Sequence, residues 1–139
     1  NFLPWLPKNS QVNDYLNSID IDLSGMSGAE GWNLPAFNAT ALGKWSVVLD
    51  CTSHKDWATA ENSILVSPSG TDSIEDGIFF LPNAPFNIGK KYTFDEDALI
   101  EAMSLAEEKS KVENVKGTEL ATQFTYSNTV DKLLDICYA

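Results

Sequence analysis

The 139-residue chain predicts an α/β domain built on a parallel sheet with helices on both faces. Two observations carry this. Short apolar, strand-like runs alternate with helix-like segments, which implies parallel strands joined by right-handed crossovers. The segment from Glu30 to Val48 also passes from an acidic loop through a helix into a β-branched strand without interruption, as an open sheet needs at a ligand-facing strand-to-helix turn.

In chain order, the pattern gives a strand over residues 2–6, a helix over 11–17 and an alternating strand over 19–23, followed by a flexible loop at 24–28. A helix over 34–42 starts at Leu34-Pro35, where proline's missing N–H costs nothing because first-turn amides have no intrahelical partner. Gly43 can supply the left-handed cap that stops it, and Ala36, Ala39 and Ala41 keep it slim. A strand over 45–49, a helical turn at 55–58 and a strand over 64–67 complete the sheet region. Residues 77–91 are apolar yet rich in proline, glycine and asparagine, which predicts an irregular or hairpin excursion. Thr93 or Asp95 caps a helix with Leu99, Ile100, Met103 and Leu105 or Ala106 on one face, and helices near 119 and over 127–137 follow. The whole reads as one domain over 1–139, with terminal helices across 95–137.

The amides opening the helix at Leu34, with the positive end of its dipole, are suited to an anion such as a diphosphate. Glu30-Gly31-Trp32-Asn33-Leu34-Pro35, with Ala39, Ala41, Gly43 and Val47-Val48, resembles the donor-binding motif of retaining nucleotide-sugar glycosyltransferases with two Rossmann-like domains. That pattern reads acid-Gly-aromatic-Gly-Leu-Pro-x-x-Glu-Ala-x-Ala-x-Gly-x-Pro-Val-Val. The chain departs from it where Asn33 replaces a glycine, Asn38 the second glutamate and Trp45 the usual proline. Residues 2–6 with the following helix, the strand at 64–67 and the terminal helix resemble flanking parts of the same family.

The resemblance implies a Rossmann-like half of a carboxyl-terminal, donor-binding domain. It would belong to an enzyme moving a hexose from a nucleoside-diphosphate sugar to a glycan or lipid-linked hydroxyl with retention, without metal or further cofactor. Glu30 would be the catalytic acid contacting the donor sugar. Gly31, Trp32, Asn33, Leu34 and Pro35 would line the diphosphate, and Asn38 would hold the ribose through an uncharged amide. The family's basic diphosphate ligands lie on earlier strands, so half of the donor site is missing and the piece alone is expected to be inactive. The implied partners are the sugar-nucleotide donor and an amino-terminal acceptor domain. The alternative is a non-enzymatic Rossmann-like binding or scaffold module of the same ancestry.

With the 2–6 strand third in a 3-2-1-4-5-6 order, two strands would be absent beside the strand at 19–23. Its open edge invites a strand-mediated homo-oligomer. A formal charge of −11, with lysine the only basic residue type besides His54, disfavours nucleic acid and anionic membrane surfaces. No apolar run reaches the roughly 20 residues of a membrane span, and a cytoplasmic location is the default expectation. Cys51 and Cys137 have neither metal-ligand nor redox spacing and read as buried or half-buried free thiols. His54 reads as a surface or capping residue, and Asp20, Asp22 and Asp50 as a weak phospho-acceptor pattern. Trp32, Trp45 and Trp57 are candidates for an aromatic wall, with motif support for Trp32 alone.

Overall fold

The structure, a computed structural model, describes residues 5–83, 85–86 and 88–138. Its elements are α1 (Asn9–Ser18), β1 (Ile21–Gly25), α2 (Leu34–Ala41), β2 (Trp45–Leu49), a 3-10 turn (Thr52–Asp56), β3 (Ile64–Val66), β4 (Gly70–Ile74), β5 (Gly89–Thr93), α3 (Glu96–Lys109), α4 (Val115–Gln123) and α5 (Tyr126–Tyr138). β1, β2 and β3 form a parallel sheet in that order. Most of the expected strand at 2–6 lies outside the described residues; Trp5 and Leu6 are not in a strand.

Every residue of β2 is buried, as a central parallel strand requires. Its side chains alternate between two cores. Trp45, Val47 and Leu49 join Ile64, Val66 and Cys51 under Ala102 and Ala106 of α3. Val48 faces the other way, toward Ala36 of α2, Leu120 of α4, Trp57 and Ala58. Helices therefore cover both faces of the sheet, as expected.

α3 buries only part of the predicted stripe, Leu99 and Ala106. Ala102 and Ala106, with Ala98 and Leu99 beside them, meet the sheet, whereas Ile100, Met103 and Leu105 are exposed. Alanine lets the helix backbone approach the strands, and the larger side chains at neighbouring positions turn outward along β1. The excursion is organised by an antiparallel pair, β4 with β5, the hairpin form of the expected excursion. Within its loop, Asp76 Oδ1 accepts the backbone N–H groups of Ile78, Phe79 and Phe80 at 2.8 to 2.9 Å. These bonds, the Phe80 and Ile78 amides foremost, hold the Asp76 carboxyl below the usual carboxylate range.

Gly43 ends α2 with φ +81°, its amide donating to Thr40 O and that of Lys44 to Ala39 O. This is the left-handed stop the sequence predicts. β1 stands at the sheet edge, and among the described residues no strand pairs with its other side. Its pairing with β2 carries a register irregularity between Asp22 and Gly25, and the Ser24 carbonyl accepts from Asn33 Nδ2.

α4 is pinned by Asn114, which is almost completely buried. Its Nδ2 donates to Lys44 O at 2.9 Å and Asn62 O at 2.8 Å, and its Oδ1 accepts from Gly117 N at 2.8 Å. One amide thus joins the helix to the segments entering β2 and β3. Replacement by alanine orphans two buried carbonyls and an N–H. We expect Asn114→Ala to lose on the order of 3 kcal/mol in urea unfolding; a loss below about 1 kcal/mol contradicts this role.

Candidate functional site

The turn from Glu30 to Leu34 lies beyond the carboxyl end of β1, and α2 begins at Leu34 with Pro35 in its first turn, as predicted. Asn33, the N-cap, has φ 60° and ψ 67°, a left-handed conformation that glycine adopts freely and asparagine tolerates better than most residues. The glycine-to-asparagine departure from the motif thus keeps the backbone conformation and adds a side chain.

That side chain occupies the first turn of α2. Asn33 Oδ1 accepts from the Ala36 amide at 3.3 Å, and the Asn33 carbonyl accepts from Phe37 N at 3.0 Å. Pro35 has no N–H. Among the described residues, the Leu34 amide is the one first-turn donor left for a ligand. The Asn33 oxygen stands where an oxygen of a bound phosphate would otherwise accept from the turn.

The other end of the amide explains why it is held there. Asn33 Nδ2 donates to Ser24 O at 2.8 Å and lies 3.1 Å from His54 Nε2. Of the two expectations for His54, surface or capping, the first is overturned: it is fully buried, and its Nδ1 lies 2.8 Å from Leu49 O. A carbonyl only accepts, so Nδ1 carries the proton. An amide nitrogen only donates, so Nε2 is the acceptor. The imidazole is therefore the neutral Nδ1–H tautomer, and one network joins β1, α2, β2 and the 3-10 turn. A lone histidine without motif spacing carries no sequence signal for such a role.

The remaining candidates do not converge. Glu30 is half-buried, with its carbonyl accepting from Ser53 Oγ at 3.0 Å. Gly31 is exposed, and a Cβ there would meet nothing within 4 Å. Asn38 is exposed on the side of α2 toward α1, in a groove with Asn9, Val12, Asn13 and Leu16 that Glu30 does not line.

Trp32 belongs to an aromatic cluster. Its ring lies 5.6 Å from Phe37 and 5.2 Å from Phe124, and Phe37 in turn meets Trp57 at 5.6 Å and Phe124 at 5.3 Å. Trp57 Nε1 donates to Trp32 O at 3.1 Å, closing the turn from below. Trp45 stands apart on the opposite face of the sheet, with the Lys109 ammonium 4.3 Å from its ring. The aromatic wall is therefore Trp32, Phe37, Trp57 and Phe124, and its rings pack on each other.

Asp22 is buried and accepts from Ser24 Oγ at 2.9 Å. Burial pushes its carboxyl above the ordinary 3.8, against the Ser24 hydrogen bonds. Asp50 pairs with Lys55 at 3.6 Å instead of joining a phospho-acceptor cluster. Among the described residues no group of three or more His, Cys, Asp and Glu side chains could hold a metal ion, and no helix is long and apolar enough to cross a membrane. Cys51 is a buried free thiol and Cys137 an exposed one, which corrects the expectation for Cys137. No known protein family and no curated protein matches the sequence.

Two measurements test this geometry. Asn33→Gly keeps the backbone conformation and removes three side-chain bonds, so unfolding free energy should fall by on the order of 2 kcal/mol; an unchanged value contradicts the network. For Asp22, the neutral acid is the form favoured by the fold. Its contribution is full below pH 3.8 and is lost as pH rises through the raised value. Asp22→Asn should therefore raise the thermal midpoint at pH 7, with the gain vanishing near pH 3; an equal gain at both pH values contradicts it.

Proposed function

We propose that the chain is a non-enzymatic, Rossmann-like scaffold module that works through its surfaces and not through a sugar-nucleotide cleft. The observation that carries this reading is the Asn33 side chain, which satisfies the Ala36 amide from within and leaves the Leu34 N–H as the open first-turn donor. A diphosphate would need to displace a buried amide that also serves Ser24 and His54. Large apolar side chains stand in water elsewhere, among them Ile78, Phe79 and Ile88 in the excursion and Tyr126, Leu133 and Ile136 in α5. Exposure on this scale is a mark of protein interfaces.

The donor-binding reading keeps one specific support. The half-buried Glu30, in a loop braced by Ser53 beyond the end of β1, stands where such a domain would present its acid. On that reading the chain is the donor half of a retaining hexosyltransferase. Glu30 would face the sugar, Gly31 to Pro35 the diphosphate and Asn38 the ribose, and the acceptor domain would be a separate unit.

Titration calorimetry of the full-length parent protein with uridine and guanosine diphosphates separates the two. The scaffold reading predicts no binding tighter than about 1 mM. Saturable binding that Glu30→Ala or Asn38→Ala weakens tenfold or more overturns it in favour of the transferase.

A further inference from the structure

We propose that α5 is the docking surface for a second copy of this chain, packed antiparallel against its own α5 across a two-fold axis. No residue of α5 is buried. Its apolar residues Tyr126, Val130, Leu133 and Cys137 repeat at intervals of four, three and four, with Leu134 beside them. This is the spacing of a coiled-coil seam, a surface that a second identical helix complements. A helix of 13 residues is marginal alone in water, so a covered stripe stabilises it.

The root of α5 is anchored. Phe124 sits in the aromatic cluster with Trp32 and Phe37, and Asn128 Nδ2 donates to Thr122 O at 2.9 Å and Gln123 O at 3.1 Å. These contacts hold the helix at the end of α4. Its stripe stays open: Tyr126 is 95%, Leu133 57% and Val130 50% exposed.

Area favours a second copy, and charge sets its orientation. The stripe offers on the order of 500 Å² per copy, hence about 1,000 Å² for a pair, the lower limit for a specific interface. The charges of α5, Asp131, Lys132 and Asp135, lie off the stripe, so no like charges meet in the seam. The chain carries a net −11. An antiparallel pair sets the two acidic bodies at opposite ends, whereas a parallel pair would press them together. The axis then passes between residues 131 and 132, placing Val130 against the partner's Leu133 and Tyr126 against the partner's Cys137.

The inference deepens the scaffold reading and rests on it for the expectation that surfaces are the working parts. Light scattering on the full chain at about 100 μM should give twice 15.3 kDa, and Leu134→Asp should return it to 15.3 kDa with its near-ultraviolet dichroism intact. Mild oxidation of Tyr126→Cys should yield a disulfide dimer through Cys137 of the other copy. Positions 126 and 137 are about 16 Å apart along one helix, too far for an internal bond. A mass of 15.3 kDa at that concentration, an unchanged dimer in Leu134→Asp, or ready wild-type crosslinking through Cys137 overturns the antiparallel pair. The same samples, titrated with uridine diphosphate, keep the two readings apart. A monomer without nucleotide binding removes the pairing alone, and nucleotide binding removes the scaffold reading.

Discussion

The side-chain amide of Asn33 is the constraint on which the turn region depends. It sits in a left-handed cap position, gives its oxygen to α2 and its nitrogen to the end of β1, and faces the buried imidazole of His54. His54 in turn is tied to the last residue of β2. Four chain segments that meet at the carboxyl ends of parallel strands are thereby joined by protein hydrogen bonds. In open α/β sheets this is the place where ligands bind. Here protein atoms fill the role of an anion, which makes the region rigid and leaves its polar groups satisfied.

Stability and access are opposed at this position. A glycine would keep the backbone conformation and expose the Ala36 amide, favouring phosphate and weakening the joint. Asparagine reverses both. The aromatic cluster extends the same logic outward, since Trp32 packs on Phe37 and Phe124, Trp57 packs on Phe37, and the Trp57 indole N–H donates to the Trp32 carbonyl. The turn and the root of α5 become one packed unit. On the scaffold reading proposed above, the helix beyond Phe124 and the apolar excursion between β4 and β5 would be the working surfaces.

Much of the fold was legible in the sequence because local physics and tertiary structure agree there. β2 is a β-branched run buried on both faces, Leu34-Pro35 and Gly43 bound α2 as their backbone chemistry demands, and Asp95 caps α3 with two amide bonds. The α3 stripe agrees with the sequence at Leu99 and Ala106 and departs from it at Ile100 and Met103, because a helix lying close to a sheet favours alanine at the contact. Asn33 was legible as a departure from a pattern but not as a plug, since its partners Ser24 and His54 are 9 and 21 residues away. His54 carried no signal at all, because a single histidine becomes structural only when the fold brings a carbonyl and an amide to its two nitrogens. The groove beside Asn38 was not legible, because helix periodicity fixes angles around α2 but not which side faces α1.

The tautomer of His54 tests the central claim most directly. Long-range proton–nitrogen NMR correlation of the imidazole at neutral pH should show a protonated Nδ1 and an unprotonated Nε2 that accepts a hydrogen bond, in slow exchange with solvent. A protonated Nε2, or an imidazole averaging between tautomers, would mean that Asn33 does not donate to it and that the first turn of α2 is not held closed from within.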